Sequence, residues 1–153
     1  MEAIAGIFII CCMSVLNPFS GVDENELRGC SLSPNCNSSQ SWRYNYIHHV
    51  EPIAYKNDQH LVFQELLHYY ENSENVHISE VKDDEYIRVT YFTKVFRFPD
   101  RVELYFPPGE NHIQVRSHSW IGFWDIFANR RRIAKLRKVA EMGEDSPKKD
   151  TIL

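Results

Sequence analysis

The chain has 153 residues, 43% of them hydrophobic and 13% aromatic, enough apolar surface for one well-packed core and too little for two. Its formal net charge of −4 is unevenly placed: residues 1–115 hold 8 Lys/Arg against 16 Asp/Glu, and residues 116–153 hold 9 against 5. A body this acidic argues against general nucleic-acid binding, and no nucleic-acid partner is expected.

The first element is "MEAIAGIFIICCMSVLNPFS". The fourteen residues from Ala3 to Leu16 carry no charge. As a helix they would reach about 21 Å, short of a hydrocarbon layer of about 30 Å. The length suits the apolar region of a secretory leader, and Cys12-Met13-Ser14 puts small residues at the minus-three and minus-one positions of a cleavage site. The flank is atypical, with Glu2 and no Lys or Arg. Cys11 or Cys12 as a lipidated thiol, and a buried N-terminal helix, are the alternatives. Residues 1–20 are read as a hydrophobic leader or membrane anchor, which makes the rest secreted, extracytoplasmic or membrane-anchored.

Residues 17–56 are punctuated by Pro18, Gly21, Gly29, Pro34 and Pro52. They read as an ordered, irregular arm, with Trp42, Tyr44, Tyr46 and Ile47 packing on the main body. Within it "CSLSPNCNSSQSW" sets Cys30 and Cys36 in a polar segment. In an oxidising place these two thiols form a disulfide, stabilising the short loop by about 2 kcal/mol. A zinc site would need two further ligands, and His48 and His49 are adjacent, so they point in different directions on most backbones. A redox-active pair would sit closer, as in C-x-x-C. Asn37-Ser38-Ser39 is a glycosylation sequon, meaningful only on a eukaryotic secretory route.

"NDQHLVFQELLHYYENS" has Asn57 or Asp58 as a cap and an apolar stripe of Val62, Leu66 and Tyr69 beside Phe63, Leu67 and Tyr70. It is an amphipathic helix that leaves His60 and His68 off the stripe. The period then switches to two. Val76 and Ile78, then Ile87, Val89 and Tyr91, flank the acidic turn from Lys82 to Glu85, a hairpin. Phe96 and Phe98, then Val102, Leu104 and Phe106, then Ile113 and Val115 continue around Pro107-Pro108-Gly109, with Pro99 marking a break or bulge.

With Val102, Leu104, Ile113 and Val115 turned to the core, Glu103 and Arg116 take the opposite face. If Leu104 faces Val115, then Glu103 faces Arg116, and Arg88 shares their parity: a charged ladder. Such cross-strand pairs contribute about 0.2 to 1 kcal/mol when exposed. The last element, Asp125 to Met142, is a helix whose Ile126, Phe127, Ile133, Leu136 and Val139 or Ala140 form the apolar side. In "NRRRIAKLRK" six of ten residues are basic and point outward. The expected fold is thus a single α+β domain over residues 21–142, with four to five antiparallel strands, an amphipathic helix and a basic C-terminal helix. Residues 143–153 form a flexible tail.

Several of these stretches resemble a known family. "CSLSPNCNSSQ" is similar to C-x-x-S-P-N-C-V-S-S-Q, "VEPIAY" to I-x-P-I/L, "FRFPDRVELYF" to F-R-F-V-D-D-V-E-F, and "VRSHSWIGFWDIFANRRRI" to V-R-S-A-S-R-x-G-x-x-D-x-G-x-N-R-x-R. Together, over about Gly21 to Lys138, they resemble the domain-of-unknown-function family 1499, found in bacteria and plastid-bearing organisms and often exported or lipid-anchored. The resemblance maps the family's polar positions onto Pro34, Asn35, Ser38, Ser39, Gln40, Asp100, Glu103, Arg116, Ser117, Ser119, Gly122, Asp125, Asn129, Arg130 and Arg132. Arg101, Trp120 and Ala128 stand where the family has aspartate, arginine and glycine, so an anion or metal site there would be incomplete.

Three functions are compatible with these residues. A non-catalytic binding or scaffolding module would present a polar Arg/Asp/Asn surface to a protein or membrane partner or a small anion. Its ligand residues would be Asp100, Glu103, Arg116, Ser117, Ser119, Asp125, Asn129, Arg130 and Arg132, and Arg130, Arg131 and Arg132 would meet an anionic lipid head group. A small serine-type hydrolase would use Ser117 or Ser119 with His118 and Asp125, although neighbours on a strand face opposite ways and no nucleophile-elbow glycines surround the serines. A purely structural domain would spend Asp100, Glu103, Arg116, Asp125 and Arg130 on a buried or half-buried salt network joining the last helix to the sheet. No metal or cofactor is expected.

Overall fold

Alternating apolar residues between Val76 and Ser119 align four long strands into an antiparallel layer, and the apolar stripes of two helices close over one side of it. The structure, a computed structural model, describes residues 21–30, 35–94, 97–119 and 126–142. In chain order these form β1 (Val22–Asp23), β2 (Glu26–Leu27), β3 (Cys36–Ser38), β4 (Ile53–Ala54), α1 (Gln59–Glu71), β5 (Val76–Lys82), β6 (Tyr86–Phe92), β7 (Pro99–Tyr105), β8 (His112–Ser119) and α2 (Ile126–Met142). The expected leader and tail lie outside the described residues, as do Pro34, Phe96, Trp120, Gly122 and Asp125.

The main sheet has six strands, in the order β3-β8-β7-β6-β5, with β4 also paired to β8. β3 lies against Arg116 to His118 and β4 against His112 and Ile113. Two short pieces of the arm thus add strands to the four or five expected. The hairpin between β5 and β6 closes as read from the sequence: Glu85 N–H donates to Lys82 O at 2.8 Å, and Asp83 and Asp84 take φ of 37° and 57°. Aspartate tolerates that region, because its short polar side chain bonds locally. At Pro107 to Glu110, Glu110 N–H donates to Pro107 O and Gly109 takes φ 78°, the positive value a type II turn needs at its third position. Pro99 opens β7 opposite Phe92, while the register shift falls between Ile78 and Glu80 in β5. Proline lacks an N–H to donate, so the first residue of a strand suits it better than a bulge within one.

α1 begins at Asp58, whose carboxylate accepts from His60 N–H at 3.0 Å, and it buries Val62, Phe63, Leu66 and Tyr70. α2 buries Ile133, Leu136, Val139 and Ala140. Both stripes meet Ile87, Val89, Val102, Leu104, Ile113 and Val115 on the same side of the sheet. Each such side chain contributes about 1.5–3 kcal/mol on leaving water. Two expectations about apolar residues fail. Phe127 is 66% exposed, and Trp42, Tyr44, Tyr46 and Ile47 are 73%, 65%, 82% and 57% exposed. The backbone explains the loop. Asn45 N–H bonds Trp42 O, and His48 and His49 N–H bond Asn45 O, so residues 42–49 turn on themselves and aim their side chains outward.

The opposite side of the sheet is covered by the arm. Leu27 of the β1–β2 hairpin packs with Tyr86 and Tyr105. A disulfide joins Cys30 to Cys36, with Cα atoms 5.6 Å apart, and ties that arm to β3. Replacing both cysteines by alanine should cost about 2 kcal/mol, a fall of roughly 4–8 °C in Tm. Thermal melts of the two forms measure this, and equal Tm values would show that the crosslink contributes nothing.

Candidate functional site: two buried polar clusters and an aromatic loop

The first cluster lies under the arm. β7 and β8 pair with Glu103 opposite Arg116, and β6 places Arg88 opposite Glu103, the register read from the alternation. The Arg116 Nη1 to Glu103 Oε2 distance is 3.3 Å. Tyr86 OH and the Gly21 N–H donate to the other oxygen, Oε1, at 2.7 and 2.6 Å. Burial chiefly, and next the Glu103 carboxylate, hold the Tyr86 phenol far above its ordinary range, so it remains a donor. Burial also pulls the Arg116 guanidinium below its usual value, with Glu103 opposing. Arg88 makes an ion pair with Glu80 at 2.9 Å. The pair is buried, so the small magnitude of an exposed ladder does not apply to it: Glu103 is 0% and Arg116 1% exposed, because the β1–β2 hairpin and Gly21 roof the face that alternation leaves polar.

His118 sits two residues along the same face, opposite Cys36 on β3 and Arg101 on β7. It is buried, and neither ring nitrogen has a hydrogen-bond partner. Burial first, then the charges of Arg116 and Arg101, push its pKa down to about 3.

The second cluster lies on the helix side. Alternation turns Asp100, Ser117 and Ser119 toward α2, which supplies Asn129 and Arg132. Asn129 Oδ1 accepts from Ser117 Oγ at 2.6 Å and from Arg132 Nη1 at 2.8 Å. Its Nδ2 donates to Asn35 O at 2.8 Å, and Asn35 Nδ2 donates to Ser119 O at 2.7 Å. Arg132 reaches Asp100 at 2.8 Å and lies 4.5 Å over the Tyr91 ring. Asp100, Ser117, Ser119 and Asn129 are all buried.

The expected surface is therefore not one surface. Asp100, Ser117, Ser119, Asn129 and Arg132 meet on one side of the sheet, Glu103 and Arg116 on the other, and Asp125 lies outside the described residues. The single salt network divides likewise. Asp100 and Arg132 join helix to sheet, whereas Glu103 and Arg116 join strand to strand. The arginines of α2 do not all point outward either. Arg130 Nη2 donates to the carbonyls of Tyr46, Ile47 and His49, and Arg137 donates to those of Glu51 and Pro52 at 2.9 Å each. Irregular backbone has carbonyls that no ladder satisfies, and a forked guanidinium reaches several at once.

This geometry limits the chemistry. The Ser117 hydroxyl is committed to Asn129 and His118 faces away from it, so those two form no nucleophile and base. His48 and His49 each set Nδ1 on a backbone carbonyl at 2.9 Å, Cys36 O and Ser41 O. Among the described residues no three His, Cys, Asp or Glu side chains gather as metal ligands. Among the described residues the Trp42 to Ile47 loop groups four exposed large apolar or aromatic side chains, with Arg43 exposed within it.

A family model described as protein of unknown function (DUF1499) matches residues 26–139. The chain belongs to that family. No curated protein and no solved structure matches it. The DUF1499 match spans both polar clusters, the disulfide and the aromatic loop, and begins after Gly21, whose N–H caps Glu103. Of the motif residues, Asn35, Asn129 and Arg132 prove to be parts of one hydrogen-bonded unit. Sequence reasoning missed Tyr86 and Gly21 as donors to Glu103, and Arg137 as a donor to the carbonyls of Glu51 and Pro52. Tyr86 was within reach, since it shares the parity of Arg88 on its strand.

Proposed function

We propose that the chain is a non-catalytic binding or scaffolding module on the extracytoplasmic or organellar face of a membrane, with the buried polar clusters as frame and the Trp42–Ile47 loop as contact surface. A contrast in exposure carries this reading: Arg116 and Asn129 are sealed inside, while four large apolar or aromatic side chains stand in solvent on a backbone gripped by Arg130. Exposed Trp and Tyr on a held backbone have the composition of binding hot spots, because they offer large contact area at low entropic cost. The Cys30–Cys36 bond supports an oxidising compartment. The uncharged Ala3–Leu16 stretch supports export or anchoring. No helix of the described residues is long and apolar enough to cross a membrane.

The double variant Trp42→Ala/Tyr46→Ala tests the division between frame and contact. Its stability should stay within about 0.5 kcal/mol of the parent, as for other surface changes. Capture of partners from the native membrane fraction by the full chain should be lost. Undiminished capture, or labelling of Ser117 or Ser119 by a fluorophosphonate probe, would refute the reading.

A further inference from the structure

Resting on that reading, we propose that the occupant of the loop is an anionic bilayer surface, into whose interface Trp42, Tyr44, Tyr46 and Ile47 insert while arginines meet the head groups. Charge placement carries the proposal. From Gly29 to Val50 there is no Asp or Glu, and the cation of that stretch, Arg43, lies between Trp42 and Tyr44. α2 adds Arg130, whose guanidinium touches the carbonyls of Tyr46 and Ile47, and next to it the exposed Arg131. Carbonyls are dipoles and leave the charge of Arg130 in place. Phe127, one helical turn earlier, is also exposed and extends the apolar area.

The acids of residues 1–115, 16 against 8 bases, lie outside Gly29 to Val50, so the acid-free stretch around Arg43 beside the basic α2 is the part an anionic surface would attract. The ring chemistry fits as well. Trp and Tyr carry an apolar body and a polar tip and collect where hydrocarbon meets water. Between Arg43, Tyr44, Tyr46 and Arg130 opens a hollow of about 310 Å³. Glu51 on its rim lies 3.5 Å from His49.

Trp42 is its own reporter. The full chain is mixed with phosphatidylcholine vesicles, with or without phosphatidylglycerol, carrying phosphatidylcholine brominated near the glycerol. The Trp42 signal is the emission of the parent minus that of Trp42→Phe, which removes Trp120, Trp124 and any effect of the N-terminal segment. Bromine should quench that signal only where phosphatidylglycerol is present, and less as salt rises. Arg43→Glu should weaken the lipid dependence by about fivefold or more, with unchanged Tm. An unquenched Trp42 on chains that co-float with the vesicles overturns the proposal. If the loop variant nevertheless loses its captured partner, a protein occupies the loop and the binding-module reading stands; if capture persists, both fall.

Discussion

Glu103→Ala should destabilise the protein by about 3–5 kcal/mol, the usual cost of leaving one member of a buried ion pair alone, and lower its Tm by roughly 10 °C or more. The variant leaves Arg116, 1% exposed, without the carboxylate 3.3 Å away, and takes the acceptor from Tyr86 OH and Gly21 N–H. Arg116→Ala should cost a similar amount, because the carboxylate then stays buried with only neutral donors. Replacing both residues, Glu103→Leu with Arg116→Met, should restore part of the loss. Apolar pairs of like volume often match a buried ion pair, but here Tyr86 OH would remain without its acceptor, and a third change, Tyr86→Phe, should recover more. Urea titrations of the singles, the double and the triple provide the cycle. A Glu103→Ala loss below about 1 kcal/mol would mean that the pair behaves as an exposed one and that the arm does not seal it.

Acid should unfold the protein through His118. A histidine whose folded pKa is depressed contributes nothing above its unfolded value of about 6.5, since both states are then neutral. Below that pH the unfolded chain takes up the proton and the folded one refuses it down to about 3. Stability is therefore fully present above about pH 6.5 and lost at about 1.4 kcal/mol per unit below it, some 4 kcal/mol by pH 3.5. The folded state refuses the proton for reasons visible around the ring: it is buried, Arg116 on its own strand and Arg101 on β7 are positive, and the cystine of Cys36 on β3 offers no charge. Glu80, held below its ordinary value first by its hydrogen bond to Lys82, adds to the loss only at the acid end of the range. His118→Phe isolates the effect. It trades an unpartnered polar ring for an apolar one of similar shape, so its stability near neutrality should equal or exceed the parent's, and its loss between pH 6.5 and 4.5 should be shallower. Parallel curves for parent and variant would show that His118 does not carry the acid dependence.

These two expectations start from the same strand and differ in how far the sequence reached them. Period two along Val102 to Phe106 and Ile113 to Val115 fixes which residues face the helices, and pairing Leu104 with Val115 brings Glu103 to Arg116. The same parity sends Ser117 and His118 to opposite sides, which already weakened a catalytic pairing. What it could not show was the roof. β1, β2 and β4 are two residues long and β3 is three, too short to have a period, and they exist because β8 and the hairpin under Leu27 offer them edges and apolar surface. Long-range closure of that kind leaves no local pattern to read.

The α+β class, the two helices, the hairpin at Asp83 and Asp84, the turn at Gly109, the Glu103–Arg116 register and the family motifs were all legible in the chain, because each rests on neighbouring residues or on a strict alternation. Whether a polar side chain ends in water or in the interior was settled by long-range packing. It put Glu103 and Arg116 under the arm, bent Arg130 and Arg137 back onto the carbonyls of residues 46–52, and left Trp42 and Tyr46 outside. Those outcomes depend on what covers each face, and the segments that meet there lie up to 94 residues apart in the chain.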